Sequence, residues 1–341
     1  MPIRREILVV PPDAEATRMD RFLADTLPER SRTAWQRELR QGGILVAKKP
    51  ARARDLVRVG QEIEVTWLEP ESPVPISNAY PDQSLVVYQD DWIVVVNKPR
   101  GLVVHPSAGH REDSLVHRLW PLLTTEAADD LRPGVVHRLD RDTTGLLVLA
   151  RNEIVRRRLS EAIQQRKVYR RYLAVIMGHL AVPIGTIEAP IARHPKHRVK
   201  MAVVLGGRPA ITHYRTLAQG ENHALVQLGL ETGRTHQIRV HLASIGHPVV
   251  GDIVYGGEPC AGLEGQALHA AALAFMHPIT EKALCFMVDL PGDWRVVGKT
   301  EGRWQPMASP VFAPTILECP DESTIDFLQR MQWSTEGANL P

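Results

Sequence analysis

Two stretches of the chain bring titratable side chains together between apolar runs. The first is Arg132 to Ala150, R-P-G-V-V-H-R-L-D-R-D-T-T-G-L-L-V-L-A. It crowds His137, Arg138, Asp140, Arg141 and Asp142 between Val135-Val136 and the run Leu146-Leu147-Val148-Leu149, which reads as a buried strand opened by Gly145. The second is Glu231 to Ala243, E-T-G-R-T-H-Q-I-R-V-H-L-A. Here Gly233 marks a strand-to-helix turn and Thr235 is placed to cap the helix. Arg234 sits at the junction, where a side chain can reach into a cleft. A carboxylate held in a cleft can act as a nucleophile at carbon or as a base. A paired guanidinium lowers its pKa and fixes its rotamer. The plainer reading of the first stretch is a polar turn, with Asp142-Thr143-Thr144-Gly145 supplying the turn chemistry.

Several chemistries are excluded. There is no G-x-G-x-x-G and no Walker loop, and Gly206-Gly207 leads through Pro209 into a strand-like segment, a poor phosphate cradle. The 3 cysteines (Cys260, Cys285, Cys319) are widely spaced and form no C-x-x-C pair. His236 and His241 lie about 140° apart on a helix, so they do not share a zinc-binding face. His194 and His197 have no Cys or carboxylate beside them and read as solvated or phosphate-contacting residues. No metal and no cofactor is expected. No apolar run approaches the roughly 18 residues of a membrane span, and the start resembles no signal peptide, so a cytoplasmic location is expected.

Those side chains need elements to position them. The 341 residues allow more than one domain. A strand over 6–10 precedes helical spacing at Met19, Phe22, Leu23 and Leu27. A second helix runs from a Ser31 cap to Leu39, closed by Gly42-Gly43, and strands follow at 44–46 and 63–65. Pro70, Pro73, Pro75 and Pro81 mark a linker. The predicted organisation is residues 1–72, a linker at 73–83, a second domain at 84–303 and an acidic tail at 304–341. Within the second domain, strands are expected at 85–88, 93–96, 146–149, 172–176, 210–215 and 224–230. Helices are expected at 115–123 and 156–165, and a loop or hairpin around 187–201.

Net charge is only +2, but it is unevenly spread. Residues 18–58 hold about 11 Arg/Lys against 5 Asp/Glu, and 151–171 hold about 8 against 2. A third basic run, Arg193 to Lys200, has no acid between Glu188 and Glu221. Basic stripes without a nucleotide-cofactor motif point to RNA.

The run His137 to Val148, H-R-L-D-R-D-T-T-G-L-L-V, resembles the catalytic motif of the RluA-type pseudouridine synthases. Asn97-Lys98-Pro99 with Gly101-Leu102-Val103-Val104-His105-Pro106, Arg170-x-Tyr172-x-Ala174, T-G-R-T-H-Q-I-R-V-H-L from Thr232, and Gln266-Ala267-Leu268-His269-Ala270 are similar to further motifs of that family. Arg100 and Gly265 depart from its pattern, with a small residue and an arginine being usual there. Residues 18–46 resemble the S4 RNA-binding domain. The resemblance implies an α+β fold. A mixed, largely antiparallel sheet would form the catalytic domain, preceded by a small S4-like α/β module.

It also implies an isomerase that converts uridine to pseudouridine. That reaction breaks N1–C1′, turns the uracil and joins C5 to C1′, with no redox or phosphoryl step. By resemblance, Asp140 is the catalytic aspartate, Arg234 its ion-pair partner and Tyr172 the tyrosine that stacks on the base. Arg138, with His137 and Arg141, would surround the flipped base. Ile238 would line the pocket, and Arg193 and Lys200 would hold the substrate. Arg18, Arg21, Arg32, Arg37 and Lys48 would contact RNA from the S4-like module. Asp142 is the rival of Asp140, set aside because its D-T-T-G turn lets it cap its own backbone. The motifs look most like the RluD subgroup, whose members modify clustered uridines in a stem-loop of 23S rRNA. A monomer acting on rRNA is expected, with a tRNA substrate and a binding-only RNA chaperone as alternatives.

Overall fold

In a computed structural model, the described residues are 3–14, 16–27, 32–68, 81–106, 113–123, 134–197, 200–294 and 305–306. The chain divides into two compact units, residues 1–81 with 120–133, and 82–119 with 134–341.

The first unit carries β1 (Ile3–Val9), α1 (Met19–Thr26), α2 (Arg32–Gln41), β2 (Ile44–Val46), β3 (Lys49–Pro50) and β4 (Glu62–Leu68). Its antiparallel sheet has the order β1-β4-β2-β3. Met19, Phe22 and Leu23 recur on one helical stripe. They pack with Trp35, Leu39, Ile44, Ile63 and Trp67 into a core of their own, with the two tryptophan rings edge-on at 5.4 Å. The first strand begins earlier than the expected 6–10, because Ile3 to Val9 all find partners across β4. Ser31, the expected cap of α2, lies outside the described residues. The β2–β3 turn holds Ala47 and Lys48 at φ 48° and 62°, both left-handed, as the twist of a two-residue hairpin demands.

The second unit carries β5 (Val86–Gln89), β6 (Ile93–Lys98), α3 (Leu115–Leu119), β7 (Thr144–Ala150), α4 (Glu153–Gln164) and β8 (Tyr169–Met177). It continues with β9 (Ile184–Glu188), β10 (Ile191–Arg193), β11 (Met201–Val203), β12 (Ile211–Gln219) and β13 (His223–Leu230). It ends with α5 (Gln237–Ser244), β14 (Leu268–Met276), β15 (Ala283–Met287) and β16 (Gln305–Pro306). One large sheet runs β16-β12-β13-β8-β14-β7-β6-β5, with β9 on β12 and β15 on β14. Every pairing in it is antiparallel except β14 with β7, so the expected mixed, largely antiparallel α+β architecture is present. β10 and β11 form the hairpin expected near 187–201. β16 pairs with the edge of β12, where the sequence suggested only an acidic tail. Residues 307–341 of that tail lie outside the described residues.

Two central strands set the site. β7 is buried along its whole length, as its leucine run predicted. β14, L-H-A-A-A-L-A-F-M, lies between β7 and β8 and was not anticipated as a strand. Gly145 faces Ala270, which faces Tyr172, so one row of residues crosses three strands. Gly145 has φ 108°, and a Cβ there would collide with the Ala270 carbonyl oxygen, so only glycine fits. Beside Tyr172 the register slips between Ala270 and Ala272, a bulge that re-aims the neighbouring side chains.

Candidate active site

Asp140 sits in the loop entering β7 and is fixed by a bonded chain of charges. Arg239 Nη1 donates to Asp140 Oδ2 at 3.0 Å. The same guanidinium grips Asp252 with two bonds, Nε to Oδ2 at 2.6 Å and Nη2 to Oδ1 at 2.8 Å. The side chains of Arg239 and Asp252 are 7% and 1% exposed, and that of Asp140 is 17% exposed. Asp252 therefore orients the arginine, and the arginine presents its remaining corner to the more accessible carboxylate. Burial disfavours the charged Arg239, but the two carboxylates outweigh it and raise its pKa, so it stays a cation.

His236 closes the other side of Asp140. It is the residue before α5, at φ 56°, a left-handed conformation rare outside glycine. Its Nδ1 bonds the Tyr255 hydroxyl at 2.8 Å, and its Nε2 lies 3.9 Å from Asp140 Oδ1. The Tyr255 oxygen also accepts the Met201 N–H at 2.8 Å, and its ring lies under Arg239 at 5.0 Å. Burial is the largest influence on His236 and pulls its pKa down, so the ring is neutral at pH 7. Tyr172 is buried on β8, where burial raises its pKa, with opposing influences from Arg170 and Asp140.

The loop carrying Asp140 is tied from beneath. Lys98, fully buried at the end of β6, donates to the carbonyl oxygens of Pro99 (2.8 Å), Leu102 (2.9 Å) and Arg141 (2.8 Å). Three acceptors match the three N–H groups of an ammonium. Burial brings its pKa down to about 7, against the pull of Asp142 and Asp140. Arg100 donates to the carbonyl oxygens of Asp142 and Gln266, both at 2.7 Å, and pairs with Asp293. A cleft beside the Arg239–Asp252 pair is bordered by Arg100, Arg141, Asp142 and Gln266.

Several expectations change. Arg239, and not Arg234, is paired with Asp140. Arg234 Nε, on a half-buried side chain, donates instead to the Pro209 carbonyl at 3.1 Å. Thr235 does not cap α5; His236 holds that position, and Gln237 Oε1 accepts the Arg234 N–H. His137 lies in the loop, but its Nε2 accepts the Val148 N–H at 3.2 Å and its Nδ1 is buried without a partner. The residue is half-buried while its ring is enclosed, and burial and Arg170 drive its pKa to about 3. It is a neutral brace of the loop, not a cation offered to substrate. Arg141 is clamped on Asp142 by two bonds of 3.0 Å, so Asp142 pairs with its neighbour instead of capping its own backbone. Arg138 is exposed, 3.4 Å from His105 Nε2. Ile238 is buried on α5. Arg193 ends β10, and Lys200 bonds backbone to backbone with His194 and His197. His194 Nδ1 accepts the N–H groups of Lys196 and His197, which makes it a staple of that loop. Lys98, His236, Arg239, Asp252 and Tyr255 were not anticipated.

In the first unit the basic residues are largely engaged. Arg18 and Arg32 both bind the buried Asp20, which Gln36 also reaches. Its pKa is lowered by these bonds, although burial, the largest single influence, opposes them. Arg21 pairs with Asp25 on the surface, a contact worth little, and Arg37 approaches the buried Glu38 at 4.0 Å. Lys48 is exposed in the hairpin turn.

Comparison with known proteins shows the family. Residues 92–244 match the RNA pseudouridylate synthase family. An RNA pseudouridine synthase of Chloroflexus aurantiacus, itself uncharacterized, is 45% identical over 295 residues, spanning 85% of this chain and 92% of the relative. This chain belongs to the RNA pseudouridine synthases, in the RluD-like branch of the RluA family. The ribosomal large subunit pseudouridine synthase D of Xanthomonas campestris is 40% identical, over 84% of this synthase and 89% of that protein. The solved structure of human RNA pseudouridylate synthase domain containing 4 is 25% identical with a TM-score of 0.52, over 68% of this synthase and 97% of that chain. The synthase is thus an isomerase acting on uridine in RNA, and among its described residues no helix is long and apolar enough to cross a membrane.

Proposed function

We propose that this synthase isomerises clustered uridines in a stem-loop of 23S rRNA, as a cytoplasmic monomer. The relatives named for the large ribosomal subunit support the substrate. The observation that carries the chemistry is the partly buried Asp140 held by the buried Arg239–Asp252 pair, in a loop entering the sheet that also carries Tyr172. All of these groups come from one chain.

Asp140 is the reacting carboxylate. Gripped by Arg239, it either attacks C1′ of the flipped uridine or removes a sugar proton, and the N1–C1′ electron pair leaves with the uracil. The freed base turns and C5 bonds to C1′, as the Asp140–C1′ bond breaks in the first case or Asp140 returns the proton to the sugar in the second; the C5 proton is then lost and N1 is protonated. Tyr172 stacks on the base and offers a hydroxyl near C5. Arg138, exposed beside the loop, fills the gap left by the extruded nucleotide, and Ile238 lines the pocket. Arg193, Lys200 and the S4-like first unit, through Arg18, Arg21, Arg32, Arg37 and Lys48, contact phosphates. Arg234, half-buried and bonded to the Pro209 carbonyl instead of Asp140, is read as a phosphate contact as well.

The test is pseudouridine mapping by carbodiimide modification and primer extension, on total rRNA and tRNA from cells with and without the gene. Loss of clustered stops in one large-subunit stem-loop is the expected result. Loss of a tRNA stop would replace the substrate while keeping the chemistry, and no change anywhere would favour a protein that only binds RNA.

A further inference from the structure

Arg170 is a buried cation to which no carboxylate among the described residues is paired. It is 7% exposed, and its Nε is enclosed without a hydrogen-bond partner. An enclosed charge of this kind is costly to a fold and is normally removed or paired.

Its position explains why it is kept. Arg170 precedes Tyr172 by two residues on β8, so both side chains project from the same face of the sheet. A Cβ on Gly233 would lie 3.0 Å from Arg170 Nη1, so the glycine of the turn before α5 leaves room for the guanidinium. Its charge also reaches the His137 ring and the Tyr172 hydroxyl, pulling the pKa of each down. The cation thus lies among the Asp140 loop, the Gly233 turn and Tyr172. A charge without a partner among the described residues, at that place, awaits an anion that exists only during the reaction.

The reaction provides one. When N1–C1′ breaks, its electron pair stays on the uracil, which becomes an anion delocalised over N1 and its carbonyl oxygens. This holds whether Asp140 attacks C1′ or removes a sugar proton. The charge is consumed when C5 bonds to C1′ and the C5 proton leaves. We propose that Arg170 is a further catalytic residue whose guanidinium stabilises the uracil anion between N1–C1′ cleavage and C5–C1′ bond formation. The proposal rests on the isomerase reading of Asp140 and Tyr172 given above. An RNA phosphate is the other anion with the right chemistry, and the experiment separates the two.

The test is single-turnover tritium release from a 23S rRNA transcript carrying 5-tritiated uridine, using full-length Arg170→Met and Arg170→Lys. Arg170→Met is expected to lose about 100-fold in rate at saturating RNA, the usual effect of removing one donor to a developing anion. Its RNA affinity should stay within about twofold of wild type, and its Tm should rise because an unpaired buried charge is gone. Arg170→Lys should keep most of the rate. With 5-fluorouridine RNA, followed by loss of the nucleoside after digestion, the Arg170→Met deficit should shrink, since fluorine already stabilises the leaving anion. An unimpaired Arg170→Met overturns the proposal. So does weaker binding with a salt slope smaller by about one and an intact saturated rate, which would make Arg170 a phosphate contact. A joint fall of Tm and rate that Arg170→Lys does not restore would make it structural, and also overturns the proposal. Wild-type protein that forms no pseudouridine in this RNA overturns the underlying reading, whereas an active wild type with an unimpaired variant removes Arg170 alone.

Discussion

Arg239 has three of its nitrogens bonded to two carboxylates, and this arrangement decides how Asp140 points. Arg239→Ala leaves both carboxylates without their cation and should cost on the order of 3–5 kcal/mol of stability. The single-turnover rate should fall by more than about 100-fold. Arg239→Lys should not restore it, because an ammonium cannot reproduce the fork that grips Asp252. Arg234→Ala should leave the saturated rate near wild type and weaken RNA binding a few fold; a collapse of that rate would restore Arg234 to the centre. Both arginines stand in one motif, and the sequence alone favoured the one at the turn. The signal that would have corrected this is the helix itself. Residues 237–242 of α5 are all buried, so an arginine among them must have a fixed partner, and Asp252 follows in a Gly251-Asp252 turn. His137 makes a separate prediction. Its unfolded ring takes a proton near pH 6.5 and its folded ring only near pH 3. The unfolded state therefore binds more protons between those values, and stability falls as pH drops through that window. His137→Gln should flatten the loss between pH 6.5 and 4, a difference on the order of a few kcal/mol in urea unfolding. An unchanged pH slope would show that the ring is not held neutral.

At the scale of elements, the strands flanked by turn residues were readable and β14 was not. Its Ala270-Ala271-Ala272 and Ala274 have the highest helix propensity of any residue type, and periodicity cannot separate a buried strand from a buried helix. Neighbours decide the matter. β7 and β8 present backbone groups on both sides, and small side chains let the sheet pack closely beside Tyr172. The same closeness makes Gly145 indispensable. Gly145→Ala should destabilise the second unit by about 1–3 kcal/mol through its backbone conformation alone, with the clash against Ala270 added. The first unit shows the opposite case, a turn with unfavourable residues. Ala47 lacks the local hydrogen bonding that lets asparagine occupy the left-handed region. Ala47→Asn should therefore raise the stability of the first unit by about 0.5–1 kcal/mol, read as a shift in its urea midpoint. A destabilised variant would mean that the turn is held by something other than its own backbone.

At the scale of the molecule, each of the two units has a core of its own. Met19 through Trp67 pack together in one, and Ile93, Leu146, Val155 and Phe275 in the other. The distribution of charge was legible only in part. The excess of basic residues in 18–58 is real, yet Arg18 and Arg32 spend much of their charge on Asp20, a carboxylate whose burial no spacing rule reveals. The first unit is therefore expected to hold RNA with fewer phosphate contacts than its arginine content suggests. Removing residues 1–75 should weaken binding and lower the magnitude of the salt slope by about two to four, not by the full complement of basic side chains. Asp20→Asn in the full chain separates charge from fold. It frees Arg18 and Arg32 for phosphates, so the salt slope should steepen, while the loss of the buried carboxylate lowers the stability of the first unit. If the slope stays unchanged in both proteins, the phosphates are held by the second unit, and the basic hairpin around Arg193 and Lys200 becomes the surface that carries RNA affinity.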